Sequence, residues 1–267
     1  MPNVRVGDVE LFYEDAGAGE PLVLIMGFGG DHTAWAFQVP AFAERYRVIS
    51  FDNRGAGRSD CPDVPYTTRQ MAEDTVGLLD ALGIDRAHVV GASMGGMIAQ
   101  ELALNHPRRV RSLQLHCTYA RPDRALLALM DAWRTIRAAV SPEQWMRTVC
   151  LWLFAARTYN ERPQFIETIV QTALAAPYPF TLTGFLRQGD AVRAHDSLER
   201  LKTLRCPTLV TVADEDILVP PRFSRELAER IAGAELQTIS GAGHAYFWEE
   251  PEAFNRMCLD FLARHRG

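Results

Sequence analysis

The sequence predicts an α/β architecture: a mostly parallel β-sheet with helices packed on both faces. Two observations carry this. Short apolar, β-branched runs recur without polar alternation, as strands buried on both sides require. Between them lie amphipathic stretches with apolar residues at helical spacing, the strand–helix alternation of a parallel sheet.

In chain order, "PLVLIM" (21–26), "YRVISF" (46–51), "AHVVGA" (87–92), "VRSLQLH" (110–116) and "PTLVTVA" (207–213) read as buried strands, followed by a last strand over 235–239. The stretch 68–83 reads as a helix ending on Gly83, a residue suited to a C-cap. A second helix over 94–107 is stopped by Pro107. Two more cover 222–233 and 251–265, the latter with Pro251 in its first turn. No internal repeat or low-complexity linker interrupts the pattern. From about Tyr119 to about Asp196 the rhythm changes, and four helical stretches split by prolines replace the strands. The expected organisation is therefore a core of residues 1–118 and 197–267 with a helical cap of residues 119–196 set over one edge of the sheet.

The 267 residues are 48 % hydrophobic and 23 % charged, as in ordinary globular proteins. A net charge of -5 without long runs of one sign leaves no footprint for nucleic acid or an anionic membrane. The N-terminal stretch lacks the basic start and apolar centre of a signal peptide, and no run of about eighteen apolar residues occurs. Five widely spaced cysteines without a CxxC read as buried, reduced thiols. The expectation is a cytoplasmic protein without nucleic-acid or membrane partners; self-association into a homo-oligomer is left open.

The stretch "HVVGASMGGMIAQ" (88–100) sets Ser93 between a strand and a helix. Gly91-Ala92-Ser93-Met94-Gly95 fits G-x-S-x-G, a turn so sharp that flanking side chains would clash and the serine stands at its apex. The same glycines would also suit plain helix–sheet packing, so the rest of the chain must decide.

A serine hydroxyl needs a base, and the base an orienting acid. Among seven histidines, His88, His106 and His265 lie at element ends, where surface or capping roles are expected. His32, His116 and His195 read as structural or peripheral. His244 lies in the glycine-containing loop "SGAGHAYFWEEP", between the last strand and last helix, where it can reach over the sheet edge. "TLVTVADEDILVP" supplies Asp214, Glu215 and Asp216 just past a strand; Asp216 is the chosen acid, with Asp214 as the alternative. Two backbone N–H groups complete the set as an oxyanion hole: Met94 at the helix start, and Phe28 in the loop "MGFGGDHTAW".

Taken together, these residues resemble the α/β-hydrolase superfamily over essentially the whole chain. "DNRGAGRSD" (52–60) is similar to its D-x-R-G-x-G-x-S loop, whose role there is structural. In the family's acid segment the carboxylate precedes a V-P pair by three residues, which places it at Asp216 in "ADEDILVP". "GAGHAYFWEEPEAFN" is similar to its histidine loop and final helix. The chain departs from the pattern at Met26, where many members carry His-Gly.

The resemblance implies an α/β-hydrolase fold and a Ser93–His244–Asp216 triad acting through an acyl-enzyme, with small esterases and 3-oxoadipate enol-lactonase-type enzymes as the nearest general likeness. A small carboxylic ester or lactone is the expected substrate. Carbon–carbon bond hydrolysis, perhydrolysis, or ligand binding without turnover are the alternatives. Trp133, Trp145 and Trp152 in the helical region are expected to line the substrate pocket. "GFGGDH", "GAGRSD" and "GAGHAY" each lack the third glycine of a dinucleotide fingerprint, and no H-E-x-x-H or phosphate loop occurs, so neither cofactor nor metal is expected.

Overall fold

The computed structural model describes residues 3–266. Eight strands form one sheet: β1 (Asn3–Val6), β2 (Val9–Ala16), β3 (Glu20–Ile25), β4 (Tyr46–Phe51), β5 (Ala87–Ala92), β6 (Val110–His116), β7 (Thr208–Ala213) and β8 (Glu235–Ile239). Their order across the sheet is β1-β2-β4-β3-β5-β6-β7-β8. β1 pairs antiparallel with β2, and β2 with β4; the remaining neighbours are parallel. The order reverses at β3, so the C-terminal ends of β3 and β5 lie side by side with Ile25 opposite Gly91. Crevices of this kind are where open α/β sheets hold ligands.

The six predicted strands stand within a residue of their expected limits, because runs such as Ala87–Ala92 and Thr208–Ala213 are buried at every position. β1 and β2 were not anticipated. β1 alternates in burial, and β2 mixes buried apolar residues with exposed charged ones, as befits antiparallel strands towards a sheet edge.

Helices α1 (Val39–Ala43), α2 (Thr68–Ala81), α3 (Met94–Asn105), α4 (Arg124–Ala139), α5 (Pro142–Leu153), α6 (Ala156–Glu161), α7 (Pro163–Leu174), α8 (Leu182–Ala194), α9 (Pro221–Arg230), α10 (Tyr246–Glu249) and α11 (Pro251–Ala263) connect and cover the strands. One apolar cluster joins Val23, Ile25 and Val89 to Leu78 and Leu102 of α2 and α3. Another joins Leu22, Leu24 and Val90 to Phe254 and Leu262 of α11. Side chains alternate along β3 between these clusters, so both faces of the sheet are covered.

The stretch between β6 and β7 holds five helices, α4–α8, where four were expected. Pro142 and Pro163 stand at first-turn positions of α5 and α7, and Ser141 and Gln144 close a capping box on α5. Among the described residues no helix is long and apolar enough to cross a membrane.

Candidate active site

Ser93 follows β5 and precedes α3 with φ 54° and ψ −119°, a conformation that side-chain-bearing residues rarely adopt. Holding it costs about 1–3 kcal/mol, which the surroundings must offset. The Ser93 N–H donates to the His116 carbonyl at 2.8 Å, and the Ser93 carbonyl accepts the Thr118 hydroxyl at 2.7 Å. A Cβ on Gly91 would run into the Gly95 carbonyl, and one on Gly95 into that of Ile25. One on Gly27 would come within 2.9 Å of the Ser93 Cβ. The small residues thus serve both readings: they admit a tight turn, and they let the loop after β3 close on the serine.

That loop is fixed from outside. Asn53 donates its amide to the Met26 carbonyl at 2.9 Å, so the backbone is pinned at the position where the sequence departs from the family pattern. The Gly29 N–H is engaged by Gln188 Oε1 of α8 at 2.9 Å, and Gln188 donates in turn to the Arg54 carbonyl at 2.9 Å. Gln188 was missed in the sequence; it lies 159 residues from its partner and belongs to no motif. Met94 is the first residue of α3, so its N–H is among those with no partner inside the helix.

His244 and Asp216 are both buried. Nδ1 of His244 lies 2.8 Å from Oδ2 of Asp216. The other carboxylate oxygen accepts the N–H groups of Leu218 and Val219 at 2.9 and 2.8 Å. An acceptor so arranged calls for the proton on Nδ1, which leaves Nε2 of His244 as the basic nitrogen. Asp214, the alternative acid, instead accepts the N–H of Gly241 at 2.6 Å and is exposed.

The histidine loop has a brace the sequence reading did not find. Buried Glu249 accepts the N–H of Gly243 at 2.6 Å and that of Ala155 at 3.0 Å, as well as the hydroxyl of Thr158. The N–H of Ala245 donates to the Leu153 carbonyl at 2.8 Å.

Ser93 and His244 border one cavity of about 840 Å³, which Phe28, Trp133, Trp145 and Phe185 also line. This is within the ordinary size for a small-molecule pocket. Trp133 meets Trp145 edge-on at 5.6 Å, Trp145 meets Phe185 at 5.1 Å, and Phe185 meets Phe28 at 5.1 Å. Trp152 does not line the cavity. Its ring packs edge-on against Trp133 at 6.3 Å, so it supports the wall from behind.

The other polar clusters are engaged elsewhere. Asp31, His32 and Asp52 are close enough to share a metal ion. However, Asp52 already accepts the N–H groups of His32 and Arg58, at 2.7 and 2.8 Å, and meets His32 Nδ1 at 2.7 Å. The set therefore reads as a buttress of the 52–60 loop. His88 is fully buried beside the Ser112 hydroxyl at 2.7 Å, which corrects its expected surface role. Cys117 lies just past β6; burial and then the charge of Asp216 push its thiol well above the usual range, which suppresses the reactive thiolate.

The model of the alpha/beta hydrolase fold family matches residues 20–251, and the chain belongs to that family. It is 38 % identical over 261 residues to RutD of Azorhizobium caulinodans, provisionally named a carbamate hydrolase, with 98 % of each chain covered. The structure of the enol-lactonase from Burkholderia xenovorans LB400 is similar with a TM-score of 0.89 at 29 % identity, covering 98 % of this chain and all of that one. A thermophilic esterase from Thermogutta terrifontis reaches 0.89 at 30 % identity with both chains fully covered. These likenesses support a hydrolase on this fold.

Proposed function

We propose that the protein is a serine hydrolase that cleaves a small carboxylic ester or lactone through an acyl-enzyme. The observation that carries this reading is the convergence on one cavity of Ser93, in its strained turn, and His244, held by Asp216 at 2.8 Å.

In this reading Ser93 Oγ attacks the carbonyl carbon as its proton passes to Nε2 of His244. The N–H groups of Phe28 and Met94 receive the developing oxyanion, a contribution of about 10²–10³ in rate for each such donor. The tetrahedral adduct collapses, and the leaving alkoxide takes the proton from His244. Water then adds to the acyl-enzyme with His244 again as base, releasing the acid and restoring Ser93. Asp216 holds the imidazole tautomer and stabilises the imidazolium. The helical stretch 119–196 acts as a cap whose aromatic wall shields the site, and five unpaired cysteines fit a cytoplasmic setting.

A serine-directed phosphonate should label Ser93, and Ser93→Ala should lose nearly all ester turnover. Labelling at another residue, or an active alanine variant, would reject the assignment. Activity confined to β-diketones or to peroxide would favour the carbon–carbon or perhydrolase alternatives, and saturable binding without turnover the ligand-binding one.

A further inference from the structure

One face of α4 is turned to the cavity: Leu126, Met130, Trp133, Arg134 and Arg137 all line it, at helical spacing. Arg193 of α8 lines it too. Two of these three arginines are neutralised. Arg134 pairs with Asp190 at 2.6 Å, and Arg193 with Asp131 at 2.5 Å.

Arg137 differs. Among the described residues no carboxylate lies within ion-pair distance of it. Its Nε is buried without an acceptor, and its one hydrogen bond runs from Nη2 to the Phe180 carbonyl at 3.4 Å, long for a charged donor. A guanidinium cannot shed its charge, so Arg137, half-buried beside aromatic walls and without a carboxylate at hand, is placed to receive an anionic group. Arg137 borders the same cavity as Ser93 and His244, and its hydrogen-bond partner Phe180 packs against the loop after β3. The Phe180 ring lies edge-on to Phe28 at 5.5 Å and fills the space where Gly29 would carry a Cβ, at 2.8 Å.

We propose that Arg137 binds a carboxylate of the substrate, so that the preferred ester or lactone carries an anionic group apart from the carbonyl that is cleaved. This rests on the hydrolase reading above and specifies its substrate class. A charge-assisted pair to guanidinium would fix the substrate's orientation, which an aromatic wall alone leaves loose.

The test compares p-nitrophenyl hydrogen glutarate with p-nitrophenyl pentanoate, a neutral ester of similar length. Wild type should favour the anionic ester in kcat/KM, and Arg137→Gln should lower the anionic-to-neutral ratio by about 10- to 100-fold. Arg137→Lys should keep part of it, since charge remains while the planar fork is lost. An unchanged ratio in Arg137→Gln, or a wild-type preference for the neutral ester, would overturn the proposal. Free glutarate titrated by calorimetry into Ser93→Ala separates this proposal from the hydrolase reading. Binding that Arg137→Gln abolishes supports the anion site even if no ester is turned over, and absence of binding overturns it.

Discussion

Asp216 divides its two carboxylate oxygens between tasks: Oδ2 meets Nδ1 of His244 at 2.8 Å, while Oδ1 accepts the backbone of Leu218 and Val219. The residue that orients the imidazole is itself oriented by the chain that follows it. Asp216→Asn should therefore keep the fold and lose about 10²–10⁴ in kcat, because an amide can present N–H where Nδ1 needs an acceptor. Asp214→Asn, which only weakens support of the Gly241 N–H, should cost less than tenfold. Steady-state kinetics of the two variants decides; a mild Asp216→Asn beside a crippled Asp214→Asn would reverse the roles.

Gly95→Ala should be among the most damaging single-methyl changes in the chain. Its Cβ would overlap the Ile25 carbonyl, which is backbone within the central sheet and cannot step aside. A loss of about 3 kcal/mol or more in urea unfolding, or failure to accumulate folded protein, is expected. Stability within 1 kcal/mol of wild type, roughly the size of a benign surface change, would contradict the close approach.

Glu249→Gln tests the brace on the histidine loop. The amide keeps one acceptor oxygen for the three donors from Gly243, Ala155 and Thr158. Leaving such a donor unmet costs about 1–3 kcal/mol. Both the melting temperature and kcat should fall, with KM changed less, since Glu249 does not line the cavity. A loss of stability with kcat intact would mean that the loop keeps its geometry without the brace.

Acid should destabilise the fold before the carboxylates titrate. Burial lowers His116 to about 3 and His195 to about 4, and burial outweighs the pull of Glu20 to leave His88 at about 4. The unfolded chain takes up these protons near pH 6.5 and the folded chain does not, so stability falls as pH drops from about 6.5 towards 4. For a buried group such as His195 the depression is worth on the order of 3 kcal/mol. His32 runs the other way: burial works against its charged form, but Asp52 wins and raises it. Its contribution is present below pH 6.5 and lost as pH rises through its raised value. Urea midpoints at pH 7, 6 and 5 should decline in that order; a flat or rising series would contradict the burial of the three neutral rings.

The central parallel strands were legible because burial on both faces forces apolar runs such as "AHVVGA". β1 and β2 were not, because an edge strand needs only one apolar face and its charged positions break the run. Ser93, Asp216 and His244 could be named as candidates because each lies in the segment that follows a strand (β5, β7 and β8) and carries its own local wording. Gln188 and Glu249 could not: a buried polar side chain that serves a distant backbone N–H leaves no spacing to read. Trp152 shows the same limit: it shares α5 with Trp145 and both rings meet Trp133 edge-on, yet of these two only Trp145 lines the cavity.

The hydrogen bonds from Gly243 and Ala155 to one carboxylate have a consequence for anyone who would exchange the stretch 119–196 for that of a relative. A transplanted α5–α6 corner that presents its N–H a little differently would tug on the loop that carries the imidazole. Altered selectivity and altered turnover would then arrive together, and the substitution would be misread as a change of taste alone. Grafts that keep Leu153, Ala155 and Thr158 with Glu249 as one cassette should let the wall be redrawn while the loop that carries His244 keeps its place.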